Sequence, residues 1–129
     1  MPYTVLYIED EPLIVDLVRD VLAHPDVVLV TAQTGIEGLA KIRELRPDII
    51  LLDVMIPDCD GWGIYEEIRS DAELKETPII ILSAQVHKYR IQREFEKSQI
   101  DAYITKPFSA RDVRTEVEKK LGVQLWSKA

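Results

Sequence analysis

The sequence has little cysteine, little glycine and no long apolar segment. Cys59 is the one cysteine among 129 residues, so the chain can form neither an internal disulfide nor a cysteine-based zinc site. The opening residues, MPYTVLYIEDEP, lack the basic start and the long apolar stretch of a signal peptide or a membrane anchor. We therefore expect a cytoplasmic protein with no membrane association.

Positive charge is also scarce. The chain has 16 Lys and Arg against 23 Asp and Glu, which gives a net charge of −7 and a pI near 4.8. Duplex DNA is itself negatively charged and would repel a protein of this net charge, so direct nucleic-acid binding is not expected. The length suits one domain with its own core, and the expected partners are proteins, cations or small molecules.

Short apolar runs alternate along the chain with segments of helical period. The runs are rich in β-branched residues, as strands covered on both faces should be. They are Val5–Ile8, Val27–Val30, Ile49–Leu52 and Ile79–Leu82, with a weaker fifth run at Ala102–Thr105.

The segments between the runs carry helix signals. Pro12 suits the first turn of a helix, and Thr34 with Glu37 matches a capping box. The predicted apolar positions are Leu13, Ile14, Leu17, Val18, Val21 and Leu22 in the first helix, Ile36, Leu39, Ala40 and Leu45 in the second, Trp62, Tyr65 and Ile68 in the third, and Val113, Val117 and Leu121 in the last, after Ser109. A fourth helix, near residues 88–98, is predicted from Tyr89, Ile91 and Phe95 alone.

Five strand-then-helix units predict an α/β fold, a doubly wound five-stranded parallel sheet with helices on both faces. The order 2-1-3-4-5 is one of the two common arrangements for such a sheet. Ligands of these folds bind beyond the carboxyl ends of the strands. That edge of the sheet is therefore where functional residues are expected.

Polar and charged residues follow four of the five predicted strands. Glu9 and Asp10 follow the first, Asp53 the third, Ser83 the fourth and Lys106 the fifth. Each one alone is typical of a loop or a helix start. Their joint occurrence at one edge of the sheet indicates a shared site.

In the order 2-1-3-4-5, Asp53 lies beside Glu9 and Asp10, because neighbouring strands are about 4.8 Å apart. Unit charges about 4 Å apart repel by roughly 1 kcal/mol in water and about 4 kcal/mol near a protein surface. A divalent cation would remove this conflict. A few carboxylate oxygens suit Mg²⁺, and Mn²⁺ would also fit.

The predicted cleft then holds a carboxylate, a cation, a hydroxyl and an ammonium group. These groups can stabilise the charge on a phosphoryl group during its transfer. A carboxylate can also accept that group as an aspartyl phosphate. Asp53 is the candidate acceptor, with Ser83 and Lys106 beside it.

Four blocks of the sequence resemble the receiver domain of bacterial two-component response regulators in order and spacing. They are Glu9–Pro12, Asp53–Gly61, Ile81–Ala84 and Tyr103–Phe108. The resemblance extends from about Thr4 to Leu121, so we expect a receiver domain at residues 1–122. Residues 123–129 would be a tail or the start of a linker.

The resemblance implies that Asp53 receives a phosphoryl group from a sensor histidine kinase or a histidine phosphotransfer protein. It implies that Asp10 and Asp53 bind Mg²⁺ directly, together with the backbone carbonyl of Met55, and that Glu9 acts mostly through water. Glu9 stands where Asp is commoner in the family. The protein would be a phosphoacceptor that assists its own phosphorylation and dephosphorylation, not an enzyme.

The same resemblance implies a switch. Ser83 would bind a phosphoryl oxygen, Lys106 would pair with the phosphorylated aspartate, and Tyr103 would turn inward as Ser83 moves. The face formed by the fourth helix, the fifth strand and the last helix would then control the binding of a downstream protein or of a second copy, as a homodimer. Relatives usually have a turn with Gly where this chain has Ser98-Gln99-Ile100, so the end of the fourth helix, beside this face, is expected to differ from theirs.

Three other functions fit the sequence less well. A haloacid-dehalogenase-type phosphatase usually has an acid two residues after its nucleophile, where this chain has Met55. A flavodoxin-like FMN carrier needs a hydroxyl- and glycine-rich phosphate loop after the first strand, where the acids of this chain would repel phosphate. A pseudo-receiver that only scaffolds would not need all of Asp10, Asp53, Ser83 and Lys106.

Overall fold

The computed structural model describes residues 2–53, 61–83, 102–105 and 107–126, without the side chains at positions 61, 62, 83 and 105. The strands are β1 (Tyr3–Ile8), β2 (Val27–Ala32), β3 (Ile49–Leu52), β4 (Ile79–Ser83) and β5 (Ala102–Thr105). The helices are α1 (Pro12–Val21), α2 (Gly35–Leu45), α3 (Gly61–Ser70) and α4 (Ala110–Leu121). The helix predicted near residues 88–98 lies outside the described residues.

The five strands form one parallel sheet in the order β2-β1-β3-β4-β5. The predicted α/β fold and strand order are therefore confirmed. β2 and β4 continue past the predicted apolar runs, to Ala32 and Ser83. Both extensions retain the parallel register with a neighbouring strand, Ala32 opposite Ile8 and Ser83 opposite Thr105.

Alternate residues of each strand face two separate cores, because successive side chains point to opposite faces of a sheet. One core, between the sheet and helices α1 and α4, contains Val5, Tyr7, Val18, Val21, Leu22, Ile49, Leu51, Ile80, Leu82, Ile104, Val113 and Val117. The other, between the sheet and helices α2 and α3, contains Leu6, Ile8, Ala32, Ile42, Ile50, Leu52, Ile64, Tyr65, Ile68, Leu74, Ile79 and Ile81. We call them the α1/α4 core and the α2/α3 core.

Two helices begin at side-chain caps. The Thr34 hydroxyl accepts a hydrogen bond from the Glu37 amide at 3.1 Å, and Ser109 caps α4 in the same way through Asp112 at 3.1 Å. The Glu37 carboxylate accepts from the amide of Gln33 at 2.7 Å, one residue before the cap. The capping signal at Thr34 is confirmed, with this shift of one residue. Within the described part of the chain, no helix is both long and apolar enough to cross a membrane.

Part of the predicted apolar stripes faces solvent. Leu13 in α1 and Ile36 in α2 are 76% and 74% exposed, although their spacing predicts burial. The side chains that α1 and α2 bury against the sheet include Val18 and Val21 in α1 and Ile42 in α2, and side chains on the flanks of the predicted stripes remain exposed. Ile42 was missed from the sequence as a core residue.

The chain turns back on itself after α4. Gly122 ends the helix with φ +71°, a left-handed conformation that costs glycine little. The Glu118 carboxylate then accepts hydrogen bonds from the amides of Leu125 and Trp126, at 2.6 and 2.9 Å. These contacts hold the segment from Val123 to Trp126 against the body of the domain.

The indole of Trp126 joins this segment to the end of α1. Its Nε1 donates to the carbonyl of Ala23 at 3.1 Å, and the ring of His24 meets it edge-on with centroids 5.9 Å apart. The Arg114 guanidinium lies 5.7 Å from the indole centroid and donates through Nε to the carbonyl of Val21 at 2.6 Å. The predicted domain boundary after residue 122 stays a prediction, but residues 123–126 pack on the domain.

Replacing Gly38 with alanine is expected to destabilise the fold. A Cβ atom there would lie 2.5 and 2.8 Å from Cδ1 and Cγ1 of the fully buried Ile8. Overpacking of this kind costs about 1–3 kcal/mol, against a gain of about 1 kcal/mol from helix propensity. Urea unfolding should show a net loss of about 1 kcal/mol. Gly63→Ala is the control: a Cβ there meets nothing within 4 Å, so that variant should be as stable as wild type or more so.

Trp126→Ala is expected to lower the free energy of unfolding by about 2–3 kcal/mol. Truncation of a fully buried tryptophan lowers it by about 3–5 kcal/mol, and Trp126 is only partly buried. Urea unfolding followed by circular dichroism measures the change. Gln124→Ala changes an exposed residue of the same segment and should have little effect. Equal stability of Trp126→Ala and wild type would show that the segment does not support the domain.

Candidate functional site

Adjacent strands carry Glu9 and Asp53 to the same edge of the sheet. β1 and β3 pair in parallel with Ile8 opposite Leu52, so the next residue on each strand is one of the two acids. The amide of Asp53 donates to the carbonyl of Ile8 at 3.1 Å, and the amide of Glu9 donates to Ala32 at 2.9 Å. The backbone of both acids is therefore fixed by neighbouring strands.

Three carboxylates meet at this edge. Glu9, Asp10 and Asp53 can each place one oxygen within 4.8 Å of the others. Glu9 is 1% exposed and Asp53 5% exposed, and they are the buried charged residues of the described part of the chain. Asp10 lies on the solvent side of the cluster. Burial of carboxylates is costly unless they are hydrogen-bonded or paired with a cation.

Neutral donors among the described residues bind both oxygens of the Glu9 carboxylate. Its Oε1 accepts from the hydroxyl of Tyr7 at 3.1 Å. Its Oε2 accepts from the backbone amides of Asp10 and Glu11, at 3.1 and 3.4 Å. Burial raises the pKa of Tyr7, and the charge of Glu9 and its hydrogen bond with Tyr7 raise it further. The Tyr7 hydroxyl therefore stays protonated.

Tyr7 is a functional candidate that the sequence predictions missed. Its place in the run Val5–Ile8 predicts only one more core residue of the first strand. Two features of the sequence could have identified it. Tyr7 and Glu9 are two residues apart, which directs their side chains to the same face of the sheet. Tyr7 also carries the single hydroxyl in the run Val5–Ile8.

Helix α1 begins beside the cluster. Glu11 is its N-cap residue and Pro12 its first residue, and the carbonyl of Glu11 accepts from the amides of Ile14 and Val15. The amino end of a helix carries partial positive charge, which favours nearby carboxylates. This location of the first turn partly offsets the negative charge of the site.

The three carboxylates fit a small divalent cation. At about 4 Å, two of them repel by roughly 1–4 kcal/mol, depending on exposure. Their oxygens are the donors that Mg²⁺ and Mn²⁺ prefer, and a cation with few protein ligands keeps several waters. The described residues include one cluster of this kind, at Glu9, Asp10 and Asp53.

The structure describes less of the other predicted site residues. Ser83 is the last residue of β4, and its side chain is outside the described part. Met55 and Lys106 also lie outside the described residues. Tyr103, in β5, stands opposite Ile81 of β4. It is partly buried against the α2/α3 core. The residues brought together are therefore Glu9, Asp10 and Asp53.

A parallel sheet in this order, with an acidic cluster beyond β1 and β3, is the arrangement that the resemblance predicts for a receiver domain. Comparison with known families gives the same result. The chain belongs to the response regulator receiver domain family, which matches residues 5–118. It is the receiver domain of a two-component system, a phosphoacceptor and not a catalytic enzyme.

Curated relatives of the chain differ in length. The chain is 31% identical over 122 residues to the polar-differentiation response regulator DivK of Brucella anthropi, covering 95% of this chain and 98% of DivK. Several regulators at 33–38% identity are longer, and the chain spans about half of their length.

Solved structures agree with the fold. The N-terminal domain of a response regulator receiver protein from Methanoculleus marisnigri is 30% identical, with a TM-score of 0.72 over 95% of this chain and 98% of that one. The phosphorylated cyanobacterial phytochrome response regulator RcpA is 27% identical, with a TM-score of 0.81 over 98% and 100%. The Mn²⁺-bound form of response regulator Rcp1 is 25% identical, with a TM-score of 0.75 over 94% and 91%.

Asp10→Asn is expected to stabilise the protein when divalent cations are removed with EDTA. The substitution removes one charge from three that repel one another, worth about 1 kcal/mol at a solvent-facing position. Added Mg²⁺ should stabilise wild type by binding the folded state and should stabilise the variant less. Urea unfolding with and without Mg²⁺ measures both effects.

Asp16→Asn is the matched control for this experiment, because it removes an exposed acid of α1 outside the cluster. Its response to Mg²⁺ should equal that of wild type. Equal Mg²⁺ responses of Asp10→Asn and wild type would contradict a cation site at Asp10.

Proposed function

We propose that this domain is a phosphorylation switch in which Asp53 accepts a phosphoryl group from a phosphohistidine. The observation that carries the proposal is the meeting of Glu9, Asp10 and Asp53 within 4.8 Å at the carboxyl edge of a receiver-family sheet. A sensor histidine kinase or a histidine phosphotransfer protein supplies the phosphoryl group, in the cytoplasm. A histidine kinase partner is implied by membership of the family.

In this transfer, an Asp53 oxygen forms a bond to phosphorus while the bond between phosphorus and the donor imidazole nitrogen breaks. The nitrogen keeps the electron pair of the broken bond, and the product is an aspartyl phosphate. Asp53 suits this role because its backbone is fixed to β1 through Ile8 and its side chain is almost fully buried. A fixed acceptor loses little freedom when it reacts.

We assign Asp10 and Asp53, with the backbone carbonyl of Met55, as direct ligands of Mg²⁺ or Mn²⁺, and Glu9 as a ligand through water. The cation neutralises charge on the phosphoryl oxygens and on the acids when bound. The solved Mn²⁺-bound response regulator supports a cation of this type. The neutral donors that already engage both oxygens of Glu9 support its indirect role.

Ser83 and Lys106 complete the proposed site, with Ser83 binding a phosphoryl oxygen and Lys106 pairing with the modified aspartate. Their support is the sequence resemblance and the place of Ser83 at the end of β4, next to β3. Tyr103 is the proposed switch aromatic. The β5 and α4 face, with the helix predicted near residues 88–98, is proposed to bind the downstream protein or a second copy of the chain.

The surface around the acids suits a protein donor. Leu13 and Leu17, on the helix that follows Asp10, are 76% and 48% exposed. Large apolar side chains exposed together often mark protein contacts. A donor protein that brings its phosphohistidine to Asp53 would meet them beside Asp10.

Acetyl phosphate should label the protein with one phosphoryl group in the presence of Mg²⁺, and intact-mass spectrometry should detect it. The adduct should be stable in acid and labile in base, as an acyl phosphate is. Asp53→Ala should show no adduct, and wild type in EDTA should show at least tenfold less (about 1.4 kcal/mol or more in the barrier). Asp16→Ala, which removes an acid outside the cluster, should be labelled like wild type.

An unchanged adduct on Asp53→Ala would overturn the assignment of the acceptor. Steady hydrolysis of ordinary phosphomonoesters by wild type would favour a phosphatase instead. Labelling that does not depend on Mg²⁺ would contradict the cation site while leaving the acceptor in place.

A further inference from the structure

A groove lies between α4 and the segment that follows it, residues 123–126. Its cavity measures about 510 Å³ and is lined by Ala110, Arg111, Arg114, Thr115, Glu118 and Trp126. The lining residues of α4 form one stripe, because residues three or four apart lie on the same side of a helix. The indole of Trp126 supplies the remaining wall. Cavities of about 300–1,000 Å³ are typical of sites for small molecules.

The charges of α4 are divided between two sides of the helix. Asp112 and Glu116 line a different cavity, which they share with two residues of β5. Arg111 and Arg114 line the groove beside the C-terminal segment. The acids of the first two turns therefore lie towards β5, and the guanidinium groups lie towards residues 123–126.

Neither arginine has a carboxylate partner among the described residues. The guanidinium of Arg114 lies 5.7 Å from the centroid of the indole. It donates through Nε to the carbonyl of Val21 at 2.6 Å, which uses one of its five N–H donors. Arg111 is exposed. Two neighbouring guanidinium groups without an acid partner can bind an external anion.

One carboxylate also lines the groove. The Oε2 atom of Glu118 accepts from the amides of Leu125 and Trp126, at 2.6 and 2.9 Å, which directs this oxygen towards the C-terminal segment. With two guanidinium groups and one carboxylate, the groove has one positive charge in excess. A monoanion would neutralise that charge, whereas Glu118 would repel the second negative charge of a phosphate.

We propose that this groove binds a small organic carboxylate that carries a flat apolar group. Guanidinium groups match a carboxylate because they can donate two parallel hydrogen bonds to it. The flat group would pack on the indole, whose N–H already donates to the carbonyl of Ala23 at 3.1 Å, so the ring offers mainly apolar surface. The groove lies outside the cluster of Glu9, Asp10 and Asp53, and the inference does not rest on the proposed function.

Phenylacetate is a suitable probe, because it joins a carboxylate to a flat ring. The Nε1–H signal of Trp126 in ¹H–¹⁵N NMR spectra reports binding, and its absence from the spectrum of Trp126→Ala assigns it. We expect the signal to shift with a dissociation constant of about 1–10 mM, as for a ligand of about ten heavy atoms. Acetate carries only the charge and 2-phenylethanol only the ring, so each should bind about tenfold more weakly or worse.

Arg111→Gln removes one guanidinium group from the groove at an exposed position, so the fold should be kept. We expect its dissociation constant for phenylacetate to rise about three- to fivefold, the range for an exposed ion pair. Arg43→Gln is the matched control, because it removes the same charge from α2, on the opposite face of the sheet. It should bind phenylacetate like wild type. Urea unfolding without the probe checks the fold of both variants.

Three results would overturn the proposal. The first is a Trp126 signal that does not move in about 50 mM phenylacetate, or that moves equally with acetate. The second is equal affinity of Arg111→Gln and wild type, or equal weakening in Arg111→Gln and Arg43→Gln, which would show only a response to net charge. The third is tighter binding of phenyl phosphate than of phenylacetate, which would contradict a site for a monoanion.

Discussion

The parallel pairing of β1 with β3 is the constraint on which the site depends. Because Ile8 stands opposite Leu52, the two strands end together, and Glu9 and Asp53 have to share one edge of the sheet. The amide of Asp53 is tied to the carbonyl of Ile8, so the repelling acids cannot separate without breaking the sheet. A fold that holds like charges together in this way is prepared to bind a cation.

The two cores support this constraint from opposite sides. Ile8 anchors the α2/α3 core beneath Gly38 of α2, whereas Tyr7 belongs to the α1/α4 core and reaches the acids through its hydroxyl. Packing on one face therefore holds the strand, and a hydrogen bond from the other face reaches Glu9. The acids depend on the correct assembly of both layers.

Strand positions and the acidic cluster could be predicted from the sequence, because both follow from local patterns. β-branched runs mark buried strands, and the residues after them gather at one edge in any sheet of this order. The exposure of Leu13 and Ile36 could not be predicted, since periodicity does not give the width of the strip that a helix buries. The hydrogen bond of Trp126 could not be predicted either, because it joins residues 103 apart in sequence. The hydrogen bond between Tyr7 and Glu9 depends on side-chain directions that periodicity alone does not give.

Arg114 and Trp126 both bind backbone carbonyls at the end of α1, so α4 and α1 are linked at the edge of the sheet opposite Asp53. A tilt of α4 that starts near Ala110 would pull on the corner between α1 and β2, around Ala23 and His24. The position of that corner would then depend on the position of α4, although the corner lies at the opposite edge of the sheet from Asp53.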